Sequence, residues 1–365
     1  MPRLTNADDL ADEEIDIRSA AKLLPQTSSE ELDDYALDLR WSPDGRHLAA
    51  LPSTGKPKII DLKKGGFLEV PAHRGGNGSI AWSPDGALLA IFGQDGILRL
   101  HDPVTGASRE NQLPRGWAER CAWNADGSLI AAAIGRTVQV MDAATLEPLH
   151  LIDGHSSTVT DFVWHPVLPD QLATASDGGA RMWRLGQKEP FARIDDGVAA
   201  VLTTWSPDGR WVVTSDQTPS VHLFDTKRRA PLYIQGFEAK IKAFAWQTGG
   251  APDLPWLALG GGSVITVWLC FGKNGPRGAK PLQLFGHPGE VTALDFPKDG
   301  PYLASGGRDG FVLLWLPHHS DGPALIARED KEITTVRWSP DGLQLASGTV
   351  SGRIAVHTLR DQTQP

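Results

Sequence analysis

The chain has 365 residues, 41% of them hydrophobic and 22% charged, with a formal net charge of −9 and two cysteines. This is the composition of a globular protein, and no apolar run approaches the roughly 18 residues of a membrane helix. Cys121 and Cys270 form no CxxC pair, so neither a disulfide framework nor a thiolate metal site is indicated.

Residues 1–40 contain eleven Asp or Glu against four Lys or Arg, which leaves only −2 for the remaining 325 residues. A basic field that would attract phosphate backbones is absent, so nucleic acid is a disfavoured partner. Residues 1–20 read as an acidic tail, either solvated and partly disordered, a short helix, or a partner-docking segment. Met1 to Leu10 has neither the basic flank nor the apolar core of a secretory signal, and the expectation is a cytoplasmic protein. Residues 21–360 read as one repeat domain and 361–365 as a polar tail.

From residue 41 onward the chain is periodic. Trp41, Trp82, Trp123, Trp164, Trp205 and Trp246 lie 41 residues apart, and Phe296 and Trp338 continue the series slightly out of step. Trp-Ser-Pro-Asp-Gly opens at Trp41, Trp82, Trp205 and Trp338, and Trp123 opens the near copy Trp-Asn-Ala-Asp-Gly. Eight copies of one unit follow, each too small to bury its own apolar face. In the last copy, Ile333 to Trp338, Leu345 to Ser347 and Ile354 to His357 are short β-type runs separated by Pro-Asp-Gly or Gly-rich turns. A fourth run appears at Phe191 to Ile194, Leu282 to Phe285 and Ala324 to Ala327. Four antiparallel strands per period predict an all-β, eight-bladed β-propeller.

With these features the chain resembles the WD40-repeat family, although the naming dipeptide is degenerate: Ile60-Asp61 or Phe224-Asp225 in some repeats, Trp183-Arg184 or Trp315-Leu316 in others. The resemblance implies a buried structural network of His287, Ser305, Asp309 and Trp315 in the seventh repeat, and of His155, Thr174, Asp177 and Trp183 in the fourth. His73 and Asp95 match part of it. Because these sets recur as a blade feature, they read as structural groups and not as a catalytic triad.

After Ile354 to His357 too little chain remains for an outer strand, so the last blade needs a donor. Ala20 to Pro25, with Leu23 and Leu24, is the expected one, and deletion of residues 1–26 is expected to lower the melting temperature by many degrees.

The resemblance places the usual docking face where fourth-to-first and second-to-third strand loops gather. Candidate protein-binding residues there are Arg74, Arg115, Trp117, Arg120, Arg136, Lys240, Arg308 and Lys331. Trp117 either fills a gap in its own blade or anchors an interface, and Phe237, standing where other repeats have His, either plugs its blade or joins that surface. The arginines are either scattered surface charges or a positive ring at one mouth of the channel. The sixth repeat is enlarged in two loops on the opposite side, Gln247 to Trp256 and Phe271 to Pro281. Trp256, Lys273, Arg277 and Lys280 there form a second candidate surface for an acidic partner, or a tolerated surface insertion.

No GxxxxGK, HExxH or GxSxG motif is present. His318, His319 and Asp321 read as a surface turn, and no metal, cofactor or catalytic residue is assigned. The leading reading is a non-catalytic scaffold that binds proteins or peptides. The alternative is an anion-binding or enzymatic propeller with its site in the central channel, on Arg74, Arg136 and Arg308.

Overall fold

In a computed structural model the chain is described over residues 24–114, 116–194, 199–249, 255–319 and 322–359. Among these residues there are eight four-stranded antiparallel sheets, as the repeats predict. The innermost strands are Ala36–Trp41, Asn77–Trp82, Ala118–Trp123, Val159–Trp164, Ala200–Trp205, Ala243–Gln247, Val291–Asp295 and Ile333–Trp338. Among the described residues no helix is long and apolar enough to cross a membrane.

Each blade buries its faces against its neighbours, and the described core divides into eight clusters, one at each blade boundary. The cluster that joins Leu39, Trp41 and Leu48 of blade 1 to Ala346, Ile354 and Val356 of blade 8 closes the ring. No blade owns a core, which is why a single repeat cannot fold alone.

The anchor tryptophans add a directional tie. Four indoles reach back one blade to a backbone carbonyl: Trp82 Nε1 donates to Arg40 (2.9 Å), Trp123 to Ala81 (3.2 Å) and Trp164 to Ala122 (3.0 Å), while Trp41 donates across the closure to Arg337 (3.0 Å). Beyond each anchor a serine fixes the turn. Ser42 Oγ donates to Asp44 (2.6 Å) and accepts from the His47 amide (2.9 Å), and Ser83, Ser206 and Ser339 repeat the arrangement. Gly45 completes it at φ +70°, a conformation that side chains rarely adopt.

The eighth blade takes its outer strand from the N-terminal segment, but from residues later than Ala20 to Pro25. The strand is Gln26–Glu31, paired with Arg353–Thr358. Outer strands face water on their exposed side, so apolar content is the wrong guide to them: this one reads Gln-Thr-Ser-Ser-Glu-Glu. Leu24 instead sits just before the strand as a plug, 1% exposed, against Ala324, Ile326 and Trp338. Residues 20–23, the acidic tail 1–20 and the tail 361–365 lie outside the described residues.

The second enlarged loop of blade 6 is docked and not free. Arg210 of blade 5, paired with Asp225 (2.9 Å), donates to the carbonyls of Gly272 and Lys273, and the indole of fully buried Trp211 donates to Cys270 O (3.1 Å). Arg277 donates back to Pro231 O at 3.0 Å. The insertion straps blade 6 to blade 5.

Candidate functional site

The His-centred networks come out differently in the three blades that carry them. In blade 7, Trp315 Nε1 donates to Ser305 Oγ (2.7 Å), Ser305 lies 2.7 Å from His287 Nε2, and His287 Nδ1 lies 2.9 Å from Asp309 Oδ2. A neutral imidazole with its hydrogen on Nδ1 satisfies this whole chain, and burial lowers the His287 pKa despite the opposing carboxylate. Ser305 is completely buried, which leaves no access for a substrate. In blade 2 the His73–Asp95 pair forms at 3.0 Å, but Ile91 and His101 stand where the hydroxyl and indole would be.

In blade 4, His155 meets Thr174 (2.8 Å) and Trp183 donates to the same hydroxyl (3.0 Å), but Asp177 does not join them. The turn there has two residues, Asp177 and Gly178, where blade 7 uses Arg308, Asp309 and Gly310. Asp177 therefore takes the place of Arg308 and is exposed, and Ser176 replaces the Gly307 that makes room for the His–Asp pair. The four-residue match proposed for this repeat holds for three.

Among the described residues, the arginines do not form a positive ring at the channel mouth. Arg308 is held by Glu290 (2.9 Å) and Glu332 (3.4 Å), and Lys242 also reaches Glu290 (2.5 Å), so the rim of blades 6 to 8 neutralises itself. Arg120 is not a rim residue: it lies on an inner strand, inside the channel, bonded to Asp161 at 2.6 Å. Lys240 donates to Gln217 (3.3 Å), while Arg74, Arg136 and Lys331 are exposed without an ion pair among the described residues. Arg115 is not described.

Trp117 is 70% exposed and does not fill a gap in its blade. Its carbonyl accepts from Gly135 N (3.0 Å), beside Arg136, and the strand it precedes is tied by Gln94, which bonds both the amide and the carbonyl of Ala118. Arg74 is bound through its amide to Asp95, next to Gln94. These contacts place Trp117, Arg136 and Arg74 on consecutive upper turns of blades 2 and 3. Phe237, by contrast, packs half-buried against the blade 5–6 core.

The opposite candidate surface is largely consumed. Trp256 begins a strand, half-buried, edge-on to His318 at 4.7 Å, and Arg277 belongs to the strap. Lys273 and Lys280 remain exposed.

Two features escaped sequence reasoning. Asp216, Ser220 and His222 cluster on blade 5, with His222 Nε2 2.6 Å from Asp216 and 3.1 Å from Ser220. Both partners meet the same ring nitrogen, so the imidazole does not relay a proton between them as in a triad. The larger omission is the charged lining of the central channel, for which the sequence offered Arg74, Arg136 and Arg308 instead. The eight inner strands enclose about 520 Å³, lined by Asp38, Arg40, Glu119, Arg120, Asp161, Lys242, Asp295 and Arg337 among smaller residues. Burial raises the Asp295 pKa to about 6 against the opposing charge of Arg337, and burial with Asp161 raises that of Glu119. Asp38 is also opposed by burial, but Arg40 and Arg337 outweigh it and its pKa is lowered. The legible signal was charge one, three or four residues before six of the eight anchors, all but Trp82 and Trp205.

A family model described as WD domain, G-beta repeat matches residues 69–102, 146–184, 279–315 and 324–357. Each match begins in or just before one blade's outer strand and ends on the third strand of the next, so the sequence repeat straddles two blades. Among curated proteins the chain is similar to eukaryotic translation initiation factor 3 subunit I of Drosophila yakuba, 31% identical over 46% of this chain and 54% of that protein. It is similar to THO complex subunit 3 of Arabidopsis thaliana, 26% identical over 45% and 50%, and to WD repeat-containing protein AAC3 of Dictyostelium discoideum, 25% identical over 45% and 34%. The matched stretch thus spans about half, or less, of these relatives' length.

Proposed function

From a chain that carries WD40 repeats at four positions of an eight-bladed propeller, we propose a non-catalytic scaffold that engages a protein partner through the upper rim of blades 2 and 3. The observation that carries this reading is Trp117, 70% exposed between turns that bear Arg74 and Arg136. An exposed indole flanked by uncommitted guanidinium groups is the composition of an interface anchor, and it selects a partner segment with carboxylates around an apolar side chain. Two relatives named as complex subunits, of THO and of initiation factor 3, support a role in assembly. On the sequence reading, with two buried, unpaired cysteines, the scaffold works in the cytoplasm.

The test is affinity purification of the whole chain with quantitative mass spectrometry, comparing the parent with Trp117→Ala, Arg136→Ala and Arg308→Ala. Trp117→Ala and Arg136→Ala are expected to lose the same prey, and Arg308→Ala, already paired to Glu290 and Glu332, to keep it. Equal recovery from all four proteins refutes the reading.

A further inference from the structure

Independently of the rim, we propose that the central channel is a binding site for a small carboxylate- or phosphate-bearing molecule, held between Arg40 and Arg120. The two guanidinium groups carry more donors than the carboxylates they pair with take up. Asp38 is largely taken up: Oδ1 accepts from the Leu39 amide (2.9 Å) and Arg337 Nη2 (3.3 Å), and Oδ2 from Arg40 Nε (2.8 Å). Asp161 likewise accepts three bonds, from Arg120 Nη1 (2.6 Å) and the amides of Phe162 (3.0 Å) and Thr203 (2.9 Å).

The guanidinium groups are not. Among the described residues Arg40 spends only Nε and Arg120 only Nη1, which leaves the paired terminal nitrogens of Arg40 unbonded beside the lumen. Both side chains are partly open, 38% exposed for Arg40 and 32% for Arg120, so these donors are within reach of a molecule in the lumen. Blade 2, which lies between them, lines the lumen with the uncharged Gly78 and Ser79 and so offers neither arginine a carboxylate. The arginines also press on one another. Asp38 raises the Arg40 pKa, but burial and the like charges of Arg337 and Arg120 outweigh it and leave it lowered. An oxyanion seated against the forked face of Arg40 relieves that repulsion through charge-assisted, two-pronged hydrogen bonds.

The remaining lining sets the ligand's size and charge. Glu119 and Asp295 balance the lumen, which excludes polyphosphates and nucleic-acid strands and admits a molecule of one or two negative charges.

Thermal shift and isothermal titration calorimetry on the full chain, with inorganic phosphate and succinate against sodium chloride of equal ionic strength, test the site. A saturable response to either anion is expected, weakened at least tenfold in Arg40→Gln and in Arg120→Gln and unchanged in Arg46→Gln, an exposed arginine outside the lumen. Preference between the two probes assigns the ligand's acidic group. If Arg40→Gln fails to fold, Arg40→Lys keeps the charge without the fork, and several-fold weaker binding is expected. A response no larger than that to chloride, or binding retained in the Arg40 variants, overturns the proposal. Loss of protein prey by Trp117→Ala bears on the rim alone, so the two readings fail separately.

Discussion

Ring closure rests on one side chain to a degree that can be measured. Leu24 is 1% exposed and wedges between the seventh and eighth blades immediately before the closing strand. The Pro25 carbonyl accepts from the Thr358 amide, and Thr27 bonds Thr358. Leu24→Ala leaves this backbone pairing in place and removes only the wedge. Truncating a buried Leu costs about 2–5 kcal/mol, and a site near the blade edge that can partly collapse belongs at the lower end, about 2–3 kcal/mol. With an unfolding entropy of roughly 2 cal/mol/K per residue, a chain of this length loses about 3–4 °C of melting temperature. Differential scanning calorimetry at fixed protein concentration reads the change, with Ser29→Ala as the control on the exposed side of the same strand, expected within about 0.5 kcal/mol of the parent. Removal of residues 1–31 takes the whole strand, bares the edge of Arg353–Thr358, and is expected to cause a larger drop with concentration-dependent association. A Leu24→Ala transition that coincides with that of Ser29→Ala refutes the wedge.

Asp309→Asn is expected to destabilise by about 1–3 kcal/mol, because the carboxylate bonds His287 and the amides of Gly289 and Phe311; Asp177→Asn is expected to be silent, and equal denaturant midpoints for the two contradict the blade comparison. For Asp295 the native state keeps its proton to about pH 6 while the unfolded state loses it near 3.8, so stability falls as pH rises between those values. The ceiling is about 3 kcal/mol, and lumen water reaching the half-buried group reduces it to roughly 1–3 kcal/mol. Asp295→Asn is expected to flatten that slope and to be the more stable protein above pH 6; parallel melting curves from pH 4 to 7 rule this out. Gly275→Ala puts a Cβ 2.3 Å from the Trp211 ring at φ +57°, and is expected to release the blade 6 strap, seen as faster proteolysis within residues 271–281; an unchanged cleavage rate shows that the strap does not depend on this contact.

Much of the architecture was legible because it is repetitive. Trp41 through Trp338 announced eight units, and the Ser-Pro-Asp-Gly turns announced strands, since turn chemistry is local and written in consecutive residues. Reading failed where burial sets the rule. The closing strand was sought in the apolar Leu23 and Leu24, yet an outer strand is the least buried of its blade. Asp177 was matched by type, and a turn shorter by one residue moved it from the network into solvent. Arg120 looked like a loop residue, and an inner strand turned it into the lumen.

The sequence by itself therefore determined the number of blades, the strand order within each and the His287, Ser305, Asp309 and Trp315 network, all of which rest on neighbours within one repeat. Only the tertiary structure decided which charges are free. Arg308 is spent on Glu290 and Glu332, Arg40 retains unused donors, and Trp117 stands in solvent. Those outcomes depend on partners from other turns and other blades, and closing the ring is what brings Arg337 and Arg40 onto one carboxylate from opposite ends of the chain.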